Sequence, residues 1–240
     1  MPLTPLPSES KNVKAHPLIH AFARATEFLR RPGRFSVYHY PRGRALERLE
    51  RGGPGPVLDV GCGSRRLGGP VIAVDLRPGK YVSVVADAAH LPFQDGSCRG
   101  LWMEALLEHV PDPSGILEEA SRVLKSRGWL YCEVPFLQGE HAAPGDYRRW
   151  TRQGLTQLFS GWRVEWIEAV SGPFSVLAYQ LRACLSLLTS FGSDKLYRYL
   201  FEALWGYVVW PLKFLDFFLR RHPYSDAHAF GYGVMASKRN

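Results

Sequence analysis

Three short apolar runs, each closing on an aspartate, constrain this chain more than any other feature. They are PVLDV (56–60, with Asp59), VIAVDL (71–76, with Asp75) and YVSVVAD (81–87, with Asp87). Runs of this length, bounded by glycine and proline, read as buried strands. RGLWME (99–104), WLYCEVPF (129–136), WRVEWIEAV (162–170) and FGYGVMAS (230–237) bring the series to seven. Between them, 113–126 and 152–160 carry helical spacing, the second with Thr151 placed to cap it. Strands alternating with helices predict an α/β fold with a mostly parallel sheet and helices on both faces. Ligands in such a sheet sit at the carboxyl ends of the strands, where the three aspartates lie.

The remainder of the chain is organised around that alternation. Residues 18–31 and 43–51 have helical spacing, and the cluster Gly52-Gly53-Pro54-Gly55-Pro56 separates them from the first strand. Residues 1–56 carry ten Lys/Arg against four Asp/Glu out of a total of 30 against 22, so much of the net +8 sits in a basic amino-terminal arm. Such an arm can meet nucleic acid, anionic lipid or an acidic substrate, or remain a solvated lead. The start MPLTPLPSES lacks the apolar core of a signal peptide. The 4 cysteines have no CxxC spacing, which argues against a zinc ribbon or a disulfide scaffold and fits a reducing cytosol. The expected division is an arm with helices (1–55), a ligand-binding core (56–170), a helical insertion (171–226) and a final strand with its tail (227–240).

The glycine turn Gly61-Cys62-Gly63 after the first strand lets the backbone approach a ligand closely. A dinucleotide fingerprint requires a glycine at position 66, and Arg66 stands there, which weighs against a nicotinamide enzyme. Asp59 beside the turn repels phosphate and suits an amine. Asp75 with Leu76 fits the two hydroxyls of a ribose. Asp87-Ala88 can meet an adenine edge with a carboxylate and a backbone N–H. Amine, ribose and adenine together describe S-adenosylmethionine. Each aspartate alone is equally a turn or capping residue; their recurrence at successive strand ends is the argument.

The segments VLDVGCG, VIAVDL, ADAAHLPF, EHVPDP, RVLKSRGW and HAAPGDYRRWTRQGLTQLF together resemble the class I S-adenosylmethionine-dependent methyltransferases, and among them the type 11 small-molecule subgroup. The resemblance runs through 56–169 and, more loosely, 227–238. It implies a Rossmann-like sheet of seven strands with the last one antiparallel, and a cofactor site of Asp59, Gly61, Cys62, Gly63, Asp75, Leu76, Asp87, Ala88 and Glu104. Departures are Ser64-Arg65-Arg66 after the glycine turn, Arg99 where an aspartate is usual, and Lys125-Ser126-Arg127-Gly128 for the usual Lys-Pro-Gly-Gly. Only twelve positions separate Gly63 from Asp75, so a short first crossover helix is expected.

Methyl transfer is an in-line displacement in which alignment of the acceptor supplies much of the rate, and an oxygen acceptor must also lose its proton. Glu108 and His109 near the end of the fourth strand, and His141 after the fifth, are the candidates for that chemistry, with His109 the candidate base. Glu104, Glu108 and His109 are similar to the acidic-histidine motif of ubiquinone-pathway O-methyltransferases, but the spacing of the glutamates differs by one, and no metal is expected. Tyr147, Arg149 and Trp150 are the candidate acceptor contacts, an arginine-aromatic loop suited to a sugar, an anionic head group or a planar ring.

Residues 191–230 hold twelve of the 31 aromatic residues. Taken as one helix at roughly 100° per residue, residues 195–220 put Lys195, Arg198, Glu202, Lys213, Asp216 and Arg220 on one narrow polar arc. Such a helix is covered on several sides or faces lipid or a partner. A lid, a membrane contact through 174–222 and a homodimer interface remain open. A bilayer-spanning helix is disfavoured by the charges and by Pro211. The expected function is methyl transfer from S-adenosylmethionine to a small or lipid-linked acceptor, at oxygen, in the cytoplasm and at the inner membrane face if the insertion meets lipid. The alternatives are an RNA methyltransferase, with nucleic acid disfavoured by the lack of an added RNA-binding module, and a cofactor-fold protein that binds without turnover.

Overall fold

The structure is a computed structural model and describes residues 40–141 and 145–239. Seven strands form one sheet in the order β3-β2-β1-β4-β5-β7-β6. They are β1 (Val57–Val60), β2 (Val71–Asp75), β3 (Val84–Val85), β4 (Cys98–Glu104), β5 (Leu124–Pro135), β6 (Trp162–Ala169) and β7 (Gly231–Lys238). The β1–β2, β1–β4, β2–β3 and β4–β5 pairings are parallel. β7 runs antiparallel to both neighbours, as expected. The chain reverses at β1: β2 and β3 lie to one side and β4 to the other, which opens a crevice above the carboxyl ends of β1 and β4.

Two apolar clusters cover the two faces. Helices α2 (Pro113–Val123) and α3 (Arg152–Leu158) set Ile116, Leu117, Ala120 and Leu155 against Leu58, Leu101, Met103, Leu130 and Cys132. On the other face α1 (Tyr40–Glu50) packs Ala45 and Leu49 with Trp102, Trp129, Tyr131 and Met235. Alternate residues of β4 and β5 therefore serve opposite cores, which is why these central strands read as nearly unbroken apolar runs. Trp129 lies so close to β4 that a Cβ on Gly100 would stand 2.3 Å from its ring. Thr151 caps α3 as expected, accepting from the Gly154 N–H at 3.1 Å.

Three expectations are corrected. No helix joins β1 to β2, and residues 61–70 are turns; ten residues are too few to leave the sheet, make a helix and return. The third strand shrinks to two residues at the sheet edge. The helix expected over 195–220 is broken into α5 (Asp194–Tyr199), a π-turn (Leu200–Leu204), α6 (Trp205–Val209), a 3-10 turn (Trp210–Leu215) and α7 (Asp216–Leu219). Pro211 cannot donate to an α-helical ladder, and the chain tightens to 3-10 geometry around it. The helix expected over 18–31 and most of the basic arm lie outside the described residues.

The insertion is a lobe built on α4 (Pro173–Thr189). Asp216, expected on a solvent arc, is fully buried instead. Its carboxylate accepts from the N–H groups of Phe174 and Ser175 at 2.8 and 3.0 Å and from the Ser175 hydroxyl at 2.6 Å, satisfying the open amino-terminus of α4. Trp205 donates its indole N–H to Thr189 at the other end of α4. No helix among the described residues is long and apolar enough to cross a membrane.

Candidate functional site

The carboxyl ends of β1, β2 and β4 enclose a cavity of about 540 Å³, lined among others by Gly61, Gly63, Asp75, Leu76, Asp87, Ala88, Leu106 and His109. Positive φ at Gly61 (72°) and Gly63 (55°) turns the chain sharply after β1. A Cβ on Gly61 would meet Leu106 Cδ1 at 2.9 Å, whereas Gly63 has nothing within 4 Å and leaves its backbone open. The Asp75 carboxylate, at the tip of β2, accepts from the N–H groups of Gly63 at 2.8 Å and Arg77 at 3.0 Å. It is thereby fixed facing the turn, with lone pairs remaining on both oxygens. Asp87 accepts from the Ala89 N–H at 2.9 Å through one oxygen, and the other lies 3.9 Å from His90 Nδ1.

The third aspartate behaves differently. Asp59 is buried, does not line the cavity, and grips the Arg65 guanidinium at 2.6 Å. Burial pushes its carboxyl above the usual range against the pull of Arg65. The expected convergence of three acids on one cavity is therefore two: Arg65 supplies the positive partner that the sequence reading assigned to a ligand. Cys62 is also packed away, its thiol raised to about 11 by burial and by the nearby Asp59 and Asp75. Its N–H and that of Gly61 donate to Val74 O and so tie β1 to β2. Glu104 faces α1, where Trp102 donates to it at 3.2 Å and Arg42 pairs with it at 3.4 Å. It does not line the cavity.

Ala105 follows the last residue of β4 and sits at φ 56°. A non-glycine residue in this region carries about 1 kcal/mol of strain. It swings Leu106 and the turn Leu107–His109 over the crevice. Nothing in the sequence announces it. The loop after β5 is pinned onto that turn: Tyr147 N–H donates to Glu108 O at 2.8 Å and Arg148 to Val110 O at 3.0 Å. Glu108, His109 and His141, distant in the chain, thus become neighbours. Glu108 Oε1 lies 3.9 Å from His109 Nε2 and 4.0 Å from His141 Nε2, and the two rings meet edge to face at 5.2 Å. Each Nδ1 faces a carbonyl, Gly145 O for His109 and Gly139 O for His141. A proton on Nδ1 leaves the Nε2 lone pairs directed at Glu108. Glu108 is 1 % exposed and its Oε2 has no hydrogen-bond partner. Burial raises its carboxyl above the usual range, opposed by backbone hydrogen bonding and His109. Such a trio of ligand atoms, all within 4.8 Å, can also hold a cation.

Of the candidate acceptor contacts, Tyr147 is exposed, and with Arg149 it lines a shallow hollow of about 260 Å³. The Arg149 fork is spent on Asp146, at 2.5 and 2.6 Å, and holds that carboxyl well below the usual range. Trp150 is corrected: it belongs to the main core at 7 % exposure, because the loop must enter α3 through the apolar layer.

A family model described as "Methyltransferase domain" matches residues 58–132. Residues 58–132 are a class I S-adenosylmethionine-dependent methyltransferase domain. The domain is similar to a ubiquinone biosynthesis O-methyltransferase of Xanthomonas oryzae pv. oryzae (strain PXO99A), 36% identical over 100 residues that cover 32% of this chain and 42% of that protein. It is also similar to the enzyme of the same description from Albidiferax ferrireducens, 30% identical over 98 residues covering 31% and 39%. The chain thus spans about two fifths of the length of the curated relatives it matches. Two solved structures share the fold. One is a chain from the complex of the Haloferax volcanii Trm112 methyltransferase activator with a putative methyltransferase (TM-score 0.51, 18% identity, 92% of this chain and 96% of that one). The other is Burkholderia thailandensis 1,6-didemethyltoxoflavin-N1-methyltransferase, solved with bound 1,6-didemethyltoxoflavin and S-adenosylhomocysteine (TM-score 0.50, 17% identity, 98% of this chain and 94% of that one).

The methyltransferase fold is an S-adenosylmethionine-binding one. The residues present fit that cofactor: an open glycine backbone at Gly63, a fixed carboxylate at Asp75, and the exposed apolar face of Leu76 beside Ala88. A cavity of about 540 Å³ lies within the range of small-molecule sites.

Proposed function

We propose that this chain methylates oxygen on a small, lipid-linked acceptor, and that it does so at a membrane surface. The observation that carries the reading is that His109 lines the cofactor cavity and belongs, on its other side, to the Glu108–His141 cluster. Cofactor and proton-handling groups therefore meet at one wall.

Bound S-adenosylmethionine supplies a methyl group already activated by its positive sulfur. Asp75 and Asp87 with Gly63, Leu76 and Ala88 would hold its adenosine part at the strand ends, and the pinned turn Leu107–His109 sets the far wall of the cavity. An acceptor hydroxyl entering beside His109 gives up its proton to the Glu108–His109–His141 cluster. The oxygen so exposed would face the methyl group that a bound S-adenosylmethionine would supply. The chain contributes orientation and proton removal, the two demands of an oxygen acceptor.

Fifteen of the eighteen exposed large apolar side chains among the described residues lie between Leu177 and Tyr224, on the lobe. Phe191 is 90 % and Phe218 76 % exposed. The lobe leaves the sheet at the carboxyl end of β6 and touches the acceptor loop where Tyr179 meets Gly139. An apolar, aromatic surface with Lys195, Arg198, Arg220 and Arg221 among its residues suits the interface of an anionic bilayer. A basic groove formed by Arg48, Arg127, Arg163, Lys238 and Arg239 lies at the amino ends of β5 and β6, away from the cavity. Its position speaks against RNA as the acceptor.

The test is incubation of the full chain with labelled S-adenosylmethionine and separate lipid, glycan and RNA fractions of the host. Label is expected in the lipid fraction, lost in Asp75→Ala. Label confined to RNA, or cofactor binding without product in any fraction, overturns the reading.

A further inference from the structure

We propose that the basic groove at the amino ends of β5 and β6 binds the phosphodiester backbone of a nucleic acid strand, as a tether and not as the methyl acceptor. The topology assembles the groove. β7 runs antiparallel to β5 and β6, so its last residues lie beside their first ones. Ser237 stands opposite Trp129 and Arg163, and Lys238 opposite Trp162. Arg48 joins them from the last turn of α1. Arg127 comes from residues 125–128, which bulge out of β5 between the Cys98–Leu124 and Gly100–Trp129 pairs. The hollow measures about 1070 Å³, against about 540 Å³ for the cofactor cavity. Five cationic side chains line it, and its one acid, Glu165, is neutralised by Arg48 at 2.9 Å.

Other cations at this end of the sheet show what a structural role looks like. Arg99 donates to the carbonyls of Leu49, Gly52 and Gly55, and Lys125 to that of Pro54. Lys238 donates to Leu124 O at 3.1 Å. Each of these holds a turn or a strand end. Arg127, Arg163 and Arg239 are exposed, and their side chains make no hydrogen bond or ion pair among the described residues. Like charges gathered in this way repel one another. Arg127 carries a second cost, because it sits at φ 60°, where any side chain is strained. Strain kept at a residue whose guanidinium holds no described group of the protein points to a role outside the fold.

The lining decides the ligand. Four of the five cations are arginines, whose planar fork matches the oxygens of a phosphate. Sites for small molecules are mostly apolar, and peptides that dock in grooves bring apolar anchors. Val164 is the one apolar side chain among the described residues that line this groove, so neither finds a pocket. No aromatic ring among them offers a base a stacking partner. An extended polyanion gripped along its backbone fits what remains. A bilayer resting on the lobe does not reach the groove: the lobe leaves the sheet at the other end of β6, whose eight residues span about 25 Å. The same separation keeps the nucleotides held in the groove away from the cofactor cavity. The inference therefore does not depend on which acceptor is methylated.

The experiment titrates the full chain into labelled oligonucleotides of roughly 16 nucleotides, RNA and DNA of the same mixed sequence. Binding is read by fluorescence anisotropy between about 50 and 200 mM salt. Both strands are expected to bind, within about threefold of each other, since backbone contacts read no base. With three side chains on phosphates, log K should fall with log salt at a slope of about −2. Arg127→Gly should raise the thermal midpoint by relieving the positive φ, yet weaken binding by about threefold or more. Adding Arg163→Gln should bring the loss to about tenfold or more and flatten the slope to about −0.7. Arg220→Gln with Arg221→Gln, on the lobe, removes as much charge and should leave binding within about twofold. S-adenosylhomocysteine binding by each variant verifies its fold. The proposal is overturned by absence of binding at the lowest salt, by an equal loss in the lobe variant, or by a preference above about tenfold for either strand. Competition by polyglutamate as strong as by unlabelled oligonucleotide also overturns it, as does a groove variant that binds oligonucleotide unchanged and instead loses anionic vesicles.

Discussion

Between Val57 and Ala88 the chain makes three strands, no helix, and most of the cofactor cavity. The acceptor wall is assembled differently. Glu108 and His109 reach it over a left-handed Ala105, and His141 reaches it from a loop 32 residues further on, fixed there by Tyr147 N–H and the Arg148 side chain. The first region repeats one local device, an apolar strand stopped by a polar tip. The second depends on long-range hydrogen bonds between loops. Local devices tolerate change around them; an assembled wall fails when any member of its network is removed.

Within the first region, Asp59 and Asp75 differ in what they hold. Asp59 lies within β1 and is buried on Arg65, whereas Asp75 ends β2 and faces the cavity. Asp59→Ala should be the largest stability defect, about 3 kcal/mol, because it takes the nearest counter-charge from a largely buried guanidinium that keeps only Glu104, at 3.7 Å, as an ion-pair partner. Asp75→Ala should change the thermal midpoint little and weaken S-adenosylhomocysteine binding tenfold or more. Unfolding and calorimetry on the two variants decide it. If Asp59→Ala is stable and loses the cofactor, Asp59 is a ligand after all.

Next in size is Asp216→Ala, which leaves the Phe174 and Ser175 N–H groups and the Ser175 hydroxyl without their acceptor. Each such loss costs about 1 kcal/mol, so about 2–3 kcal/mol in all is expected. Circular dichroism should show a helical transition preceding that of the sheet. Coincident transitions would show that lobe and sheet unfold as one unit.

Glu133, on β5 opposite Glu104, gives a pH test. Burial, with Glu104 adding to it, raises its carboxyl from 4.5 to about 7. The folded protein therefore binds a proton between pH 4.5 and 7 that the unfolded chain releases, and stability falls as pH rises through that window. The loss is about 2 kcal/mol once residual solvent contact is allowed for. Glu133→Gln should flatten this part of the profile in urea titrations at pH 5 and 8.

The contrast between local and assembled structure also explains what the sequence could show. Seven strands and their order of appearance were legible, because alternation and turn residues act within a few positions of each other; the antiparallel last strand followed only from the resemblance to the methyltransferase family. That Asp75, Asp87 and the glycine turn share one end of the sheet, where they line the cavity, was legible for the same reason. Asp59 was misread because its partner, Arg65, stands only as a departure from a glycine-rich pattern. Glu108, His109 and His141 were named as residue types, but their convergence depends on the Ala105 turn and on loop hydrogen bonds that carry no periodic signal. The lobe was misread as one helix because a 100° projection cannot register Pro211 tightening the chain or a single acid, Asp216, serving as a buried cap.

The smallest expected effect on stability comes from the exposed aromatics of the lobe. Phe191 and Phe218 make little contact with the core, and replacing an exposed side chain usually changes stability by less than about 0.5 kcal/mol. Phe191→Ser with Phe218→Ser should therefore unfold at the wild-type midpoint and bind S-adenosylhomocysteine unchanged. Affinity for vesicles containing phosphatidylglycerol, read by sedimentation, should fall by about a hundredfold or more, because burying an aromatic ring in the interface contributes about 2 kcal/mol per residue. Neutral vesicles should bind the wild type less, since the cations of the lobe lose their partners. If the double variant sediments like the wild type, the apolar face meets something other than lipid. If instead the variant loses a dimer seen for the wild type by ultracentrifugation, a second copy of the chain covers that face. Either outcome detaches the lobe from the acceptor and leaves the cofactor cavity and the Glu108–His141 cluster to explain the reaction alone.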